Sequence, residues 1–316
     1  MARDQKAKFS VLIIGCGAIA GGYDEDDLSG PNILTHAKAF NFHHGFNLAG
    51  CMDTSEEVAQ NFSRTWGVNK VYSRLDQALD NQHFDIISIC SSTASHEGYL
   101  RQLQDYQARL IFCEKPITDN FDTAREMTEL YQDNLAVNYS RRFNPAVRQL
   151  AQDISQGKYG RFNSGKAIYN KGLYNNGSHM TDLLHMLLGP LLVKEGGGII
   201  HDFWPGDPTV SAELTTASGA AIDMTGTDMR QGMTFDLTLE FEQARIILDD
   251  FSRRLIIKPS DGPEMTVETG LNRAMLHAVS NIYDHLTGGA VLFSTGENAL
   301  SALKVCAEIR QKAGLP

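Results

Sequence analysis

VLIIGCGAIAGG, residues 11–22, reads as a buried strand that runs into a glycine turn. Gly15, Gly17 and Ala20 stand in G-x-G-x-x-A order directly after the apolar run. In a dinucleotide-binding turn each position has a task. The first glycine permits the tight turn, and the second lets the backbone approach a pyrophosphate. The third position must be small so that helix and strand can pack. Ala18 and Ile19 lie inside this turn and are counted with it as cofactor-binding. The second apolar run, FNLAGCMD, closes on Asp53. An acid there accepts hydrogen bonds from ribose hydroxyls and repels a 2′-phosphate, so NAD is expected in preference to NADP.

Working outward, strand-like runs alternate with helical ones. SEEVAQNFSRTW has helical spacing, FDIISICSS and RLIFCEKP are apolar strands, and FDTAREMTELYQD is a helix between RLIFCEKP and the further strand LAVNYSRRF. This alternation predicts an α/β fold whose parallel sheet is covered on both faces, a Rossmann domain over residues 1–140. After about residue 140 the pattern changes. A helix is expected at 145–156. GRFNSGKAIYN, AAIDMTGTDM, TFDLTLEFEQARIILDDF and RRLIIKP then alternate apolar and polar residues, as half-buried antiparallel strands do. The expectation for 141–316 is an α+β domain on an open, mostly antiparallel sheet. The final helix, 296–313, is expected to pack back on the first domain. Ser294 and Glu297 have capping-box spacing before it, and Gly314 is a plausible stop.

Composition excludes several classes. The 316 residues are 42% hydrophobic and 21% charged, which suits a globular protein. No apolar run approaches the roughly 20 residues of a membrane span. The polar start MARDQKAKF lacks the apolar middle of a secretory signal, so the cytoplasm is the expected location. A net charge of -10 argues against nucleic acid as a partner. The five cysteines are widely spaced and read as small buried hydrophobes in a reducing compartment. No metal site is expected: His185 lies six residues from His179, well around a helix.

One feature departs from the simple pattern. Gly15 and Asp53 are farther apart than the usual roughly twenty residues, because GGYDEDDLSGPNI is inserted before the helical THAKAF. The acids Asp24, Glu25, Asp26 and Asp27 make the 23–30 segment either a solvated surface loop or a lid over the substrate side.

FCEKP, residues 112–116, puts Lys115 at the carboxyl end of the sheet, where open α/β sheets bind ligands, and Pro116 pushes it towards an extended conformation. Such a lysine can stabilise a substrate alkoxide. With these motifs in place the chain resembles the glucose–fructose oxidoreductase / inositol dehydrogenase / MocA-like (Gfo/Idh/MocA) oxidoreductases over nearly its whole length. The resemblance is carried by Gly15-x-Gly17, by Ser92-Thr93-x-x-His96 after ICSS, and by Glu114-Lys115-Pro116. It continues through Arg141-Arg142-Phe143-x-Pro145, Gly157-x-x-Gly160, Gly177-x-His179-x-x-Asp182 and ENALSALKV. It implies hydride transfer between a sugar-type hydroxyl or ketone and nicotinamide, and a homodimer or homotetramer formed through the C-terminal sheet. It also implies that Ser91, Ser92, His96, Glu114 and Lys115 join the cofactor-binding set.

The family's catalytic set is the lysine of E-K-P, an aspartate, and a histidine four residues after it. Here Lys115 and His179 match, but Asn175 replaces the aspartate and cannot titrate. This resembles the branch acting on nucleotide-linked amino sugars, with oxidation at C3 of a UDP-N-acetylhexosamine-type substrate. The alternatives are a polyol or free-sugar dehydrogenase of the same family and a non-catalytic NAD-binding regulator. In the expected mechanism His179 takes the hydroxyl proton, Lys115 stabilises the oxyanion and Asn175 holds substrate hydroxyls. Asp182 either orients His179 or caps its helix. Tyr139, Arg142, Lys166, Tyr169, Asn176 and His179 are the candidate substrate-binding residues, with Lys171 beside them.

Overall fold

The computed structural model describes residues 8–315. The polar residues at the very N-terminus, read above against a secretory signal, lie outside the described residues. Among the described residues two compact units emerge: 8–143 with 272–297, and 144–271 with 298–315. Reading along the sequence puts one boundary at 140/141, where the first unit runs to Phe143. It misses the return of 272–297 to the first unit, and from Asn298 onward the last helix belongs to the second.

The first unit contains β1 (Phe9–Ile14), α1 (His36–Phe42), β2 (Phe46–Met52), α2 (Glu56–Trp66), β3 (Val71–Tyr72) and α3 (Leu75–Asn81). It continues through β4 (Ile86–Ile89), α4 (Thr93–Gln102), β5 (Leu110–Cys113), α5 (Phe121–Tyr131), β6 (Leu135–Val137) and α6 (Ser140–Phe143). Its six strands run parallel in the order β3-β2-β1-β4-β5-β6. The order reverses at β1, the doubly wound arrangement that opens a ligand crevice at the carboxyl ends of the strands. β4 and β5 are buried at every residue, as a sheet covered on both faces requires. The short β3 and α3 escape sequence reading because they are too brief to show a period.

The second unit contains α7 (Pro145–Ser155), β7 (Phe162–Tyr169), a π-helical turn at 172–177, α8 (Ser178–Leu188), β8 (Leu191–Trp204), β9 (Asp207–Thr216) and β10 (Ala221–Gly226). β11 (Phe235–Phe241), β12 (Ala244–Asp249), β13 (Arg254–Pro259) and β14 (Met265–Glu268) complete it. These eight strands form one sheet, antiparallel throughout except where β10 runs parallel to β7. Burial alternates strictly along β11. One face of the sheet therefore packs on helices, with Leu150, Leu184 and Ile309 in the shared core, and the other faces solvent.

The remaining helices are α9 (Ala274–Gly288) in the first unit and α10 (Gly296–Lys312). The capping-box expectation at Ser294 fails. Thr295 bridges β6 at Ala136 and the Ser294 carbonyl accepts from the Val137 N–H. Ser294 is thereby held beside this bridge, and its hydroxyl is buried with no hydrogen-bond partner. All five cysteines are buried and none is in a disulfide. Among the described residues no helix is long and apolar enough to cross a membrane.

Candidate functional site

Each unit carries one half of the expected chemistry. In the first, Gly15 has φ +84° and its N–H donates to the Met52 carbonyl at 2.8 Å. A Cβ there would stand 2.6 Å from the backbone of Ser91, so glycine is required by both φ and space. Gly17 has nothing within 4 Å of where its Cβ would be. That open cradle fits the backbone approach of a pyrophosphate, with Ala18 and Ile19 completing the turn. Asp53 is pinned beside it: its carboxylate accepts from the Cys16 N–H at 2.8 Å and from the Ser55 N–H at 2.9 Å. Ser91 and Ser92 close the β4–α4 turn next to Gly15.

The insertion is spliced into the helix that should follow this turn. Helical bonding starts with the Gly21 N–H on the Gly17 carbonyl and is interrupted after Tyr23. It resumes where His36 and Ala37 donate to the carbonyls of Ile19 and Ala20, at 3.2 and 2.8 Å. Asp24 is the clasp. It is buried, and its Oδ2 accepts from the Leu34 N–H, the Thr35 N–H and the Thr35 hydroxyl at 2.8–2.9 Å. The solvated-loop reading therefore holds for Glu25, Asp26 and Asp27, which are exposed, but not for Asp24. Tyr23 and Glu25 line a cleft of about 390 Å³ with Gly17, Asn61 and Trp66. Here the loop walls the cofactor half of the first unit.

Behind Lys115 lies a buried polar chain. Glu114 accepts from His36 Nε2 at 2.9 Å and from Asn138 Nδ2 at 2.6 Å through one oxygen, and from the Lys115 N–H at 3.3 Å through the other. His36 Nδ1 lies 2.8 Å from the Ser88 hydroxyl. Burial opposes charge on the imidazole, but Cys90 and Glu114 outweigh it and push the His36 pKa up to about 10. Burial likewise raises Glu114, yet the hydrogen bond and charge of His36 bring it below its usual range. The two shifts agree on an ion pair. Sequence reading missed His36, Ser88 and Asn138; the one available signal was a histidine at the start of the helical THAKAF.

The pair has a consequence for stability. The raised His36 stabilises the fold fully below its ordinary value of 6.5, and that contribution is lost as pH climbs through about 10. The lowered Glu114 contributes above its ordinary value of 4.5 and loses this on acidification. The melting temperature is therefore expected to fall on the alkaline side, and to fall less steeply in His36→Gln. Parallel melting curves against pH for the two proteins would remove the ion pair as the cause.

Two members of the expected cofactor set have their side chains engaged internally. His96 is fully buried, with Nδ1 2.9 Å from the Pro116 carbonyl and Nε2 3.0 Å from the Ser91 carbonyl. It braces the two turns and cannot reach a ligand. The Glu114 carboxylate is spent on the chain just described. The Lys115–Pro116 peptide is cis, which the expectation of an extended Lys115 did not include. Tyr139 and Arg142 are buried beside and within α6.

In the second unit GLYNNG forms a π-helical turn that continues into α8, so the segment before His179 is helix rather than loop. Such turns leave backbone groups to be satisfied. The β8–β9 hairpin supplies the acceptors. The Lys171 N–H donates to Asp202, Gly172 to Thr209, and Tyr174 and Asn175 to the two oxygens of Asp207, all at 2.8–2.9 Å. Ser178 returns a hydroxyl hydrogen bond to the Tyr174 carbonyl at 2.6 Å. Two carboxylates at a helix N-terminus also suit its dipole. His179, half-buried, is the second residue of α8, and Asn175 lies four residues before it on the same side of the helix. The Asn175 amide donates to the Lys171 carbonyl at 3.0 Å. Asn176 lies half-buried in the same turn, and Asp182 is buried one turn into α8.

The expected substrate set is split by the strand period. Tyr169 is fully buried under the π-turn, with its hydroxyl donating to the Val210 carbonyl at 2.7 Å. A Cβ on Gly177 would stand 2.8 Å from its ring, which explains that glycine. Tyr169 is thus a supporting post. Lys166, three residues earlier, is exposed on the opposite face of β7, in a cleft with Glu195, Glu213 and Asp223. It cannot share a pocket with His179. Lys171 is turned over the Phe203 ring at 4.7 Å.

Comparison with known proteins agrees with this architecture. Residues 9–139 match the family model described as an oxidoreductase family with an NAD-binding Rossmann fold. Mouse (Mus musculus) biliverdin reductase A is 31% identical over 130 residues, covering 41% of this chain and 38% of that protein. The match thus spans well under half the length of that relative. Myo-inositol 2-dehydrogenase of Thermotoga maritima is 25% identical over 112 residues, 34% of this chain and 33% of that one. The structure of the WlbA dehydrogenase from Bordetella pertussis, in complex with NADH and UDP-GlcNAcA, superposes with a TM-score of 0.82 over 97% of both chains. At 18% identity that likeness speaks to the fold alone. By its glycine turn, its 3-2-1-4-5-6 sheet and the match over 9–139, the first unit carries an NAD(P)-binding Rossmann domain of the kind that this oxidoreductase family model describes.

Proposed function

We propose that the protein is an NAD-dependent dehydrogenase that exchanges hydride with a sugar-type hydroxyl or ketone, at C3 of a UDP-N-acetylhexosamine-type sugar nucleotide. The observation that carries this reading is the helix start at 175–179. It presents an amide and an imidazole four residues apart and fixes both through the Asp207-capped turn. An amide at 175 binds hydroxyls without competing for the proton, which leaves His179 as the base. Lys115, at the end of β5, supplies positive charge to the developing oxyanion. A bound NAD would supply the hydride acceptor, its pyrophosphate and adenosine ribose held by Gly15, Gly17 and Asp53. The fixed Asp53 carboxylate favours NAD, since a 2′-phosphate would meet its charge.

The test is a panel of sugar nucleotides, free sugars and polyols with NAD and with NADP, followed by NADH absorbance. A UDP-N-acetylglucosaminuronic acid-type substrate with NAD is expected to exceed myo-inositol by about 100-fold or more in kcat/KM. Faster turnover of free polyols would favour the polyol reading. Absence of hydride transfer across the panel would favour a nucleotide-sensing regulator.

A further inference from the structure

The first unit contains a charged pair for which the proposed reaction has no direct use. His36 and Glu114 are both buried, and their side chains meet at 2.9 Å. An ion pair away from solvent is weak evidence for stability, because desolvation consumes much of its attraction. Ser88, His36 and Glu114 follow the order hydroxyl, imidazole, carboxylate of a nucleophilic triad. Ser88 is fully buried within β4, however, so no substrate reaches it. The constellation is internal.

What it connects is informative. His36 begins α1, and its N–H bonds the Ile19 carbonyl of the glycine turn. Its ring crosses to Ser88 on β4 and Glu114 after β5. Glu114 in turn accepts the N–H of Lys115. One residue therefore ties, by its backbone N–H, the turn that cradles a dinucleotide and, by its ring, the carboxylate beside the residue placed at the reacting end. Asn138 strengthens the case. Its amide donates to the Glu114 carboxylate, while its own Oδ1 is buried without a hydrogen-bond partner. A flipped amide would set oxygen against the carboxylate, so the charge on Glu114 dictates this orientation at the cost of an unsatisfied acceptor.

We propose that His36 is a positioning residue for hydride transfer: with Ser88 and Asn138 it pins the Glu114 carboxylate, and through it the backbone of Lys115. The proposal rests on Lys115 acting in the reaction. The 316-residue protein with NAD is compared with His36→Gln and with the double variant His36→Leu/Glu114→Met. In His36→Gln, kcat falls by about tenfold or more, NADH affinity stays within about threefold, and the Lys115 amide exchanges hydrogen faster while β5 stays protected. The double variant removes both charges together, so its melting temperature recovers while kcat stays low. Recovery of kcat together with melting temperature would reduce the pair to a structural role and overturn the proposal. Should no substrate in the panel turn over, the functional reading fails and the amide exchange decides alone. Unchanged protection at Lys115 in His36→Gln then overturns the positioning role. Wild-type turnover in Lys115→Ala would instead reject the catalytic lysine.

Discussion

Replacing His179 with alanine is expected to lower kcat by about 10²–10⁴-fold, the range that removal of a positioned general base produces. NADH binding should change little, because the cradle residues Gly15, Gly17 and Asp53 are untouched. Stability should change little. His179 is half-buried on a helix whose start is already satisfied by Asp202, Thr209 and Asp207, and alanine favours helix. His179→Gln keeps a hydrogen-bonding group of similar reach but cannot take a proton near neutral pH, so it should be almost as impaired. Steady-state kinetics on the substrate found in the panel decide it. Turnover within about twofold of wild type in either variant would exclude His179 as the base.

The second large effect is expected at Gly15. Alanine there meets two penalties: a positive φ that a side chain resists, and a Cβ 2.6 Å from the Ser91 backbone. Strain and overpacking together should cost about 2–4 kcal/mol. The glycine turn and the β4–α4 turn must separate to accommodate the methyl group, so NADH affinity should fall at least about tenfold. Urea unfolding and NADH fluorescence titration measure the two effects. Alanine at Gly17, where the Cβ has open space in the protein itself, should cost little stability yet still weaken NADH. Equal unfolding free energies for Gly15→Ala and the parent would refute the close contact with Ser91.

Much of the backbone geometry at the candidate site was legible from residues alone, and the differences have identifiable causes. Gly15, Gly17, Asp53, Lys115 and His179 stand in local motifs whose backbone tasks depend on a few adjacent residues. His96 looked like a cofactor ligand because a motif records position and not direction. In the fold both its ring nitrogens face backbone carbonyls. Lys166 and Tyr169 both stand in the candidate substrate set, although three residues along a strand already places them on opposite faces. What the period could not say is which face the helices cover. The acidic insertion was read by composition, which cannot separate one buried carboxylate, Asp24, from its three exposed neighbours.

By itself the sequence determined the class of each half, because strand alternation, helical spacing and the glycine turn are short-range consequences of sterics and burial. It also determined the residue types available for chemistry. Tertiary structure alone decided the partnerships. His36 meets Glu114, Asp207 caps a turn from the next hairpin, and Asp24 closes a loop on Thr35. Each joins groups separated by ten or more residues, where no period or propensity reaches. Each is set by which strands lie side by side in the sheet, or by how a loop folds back upon itself.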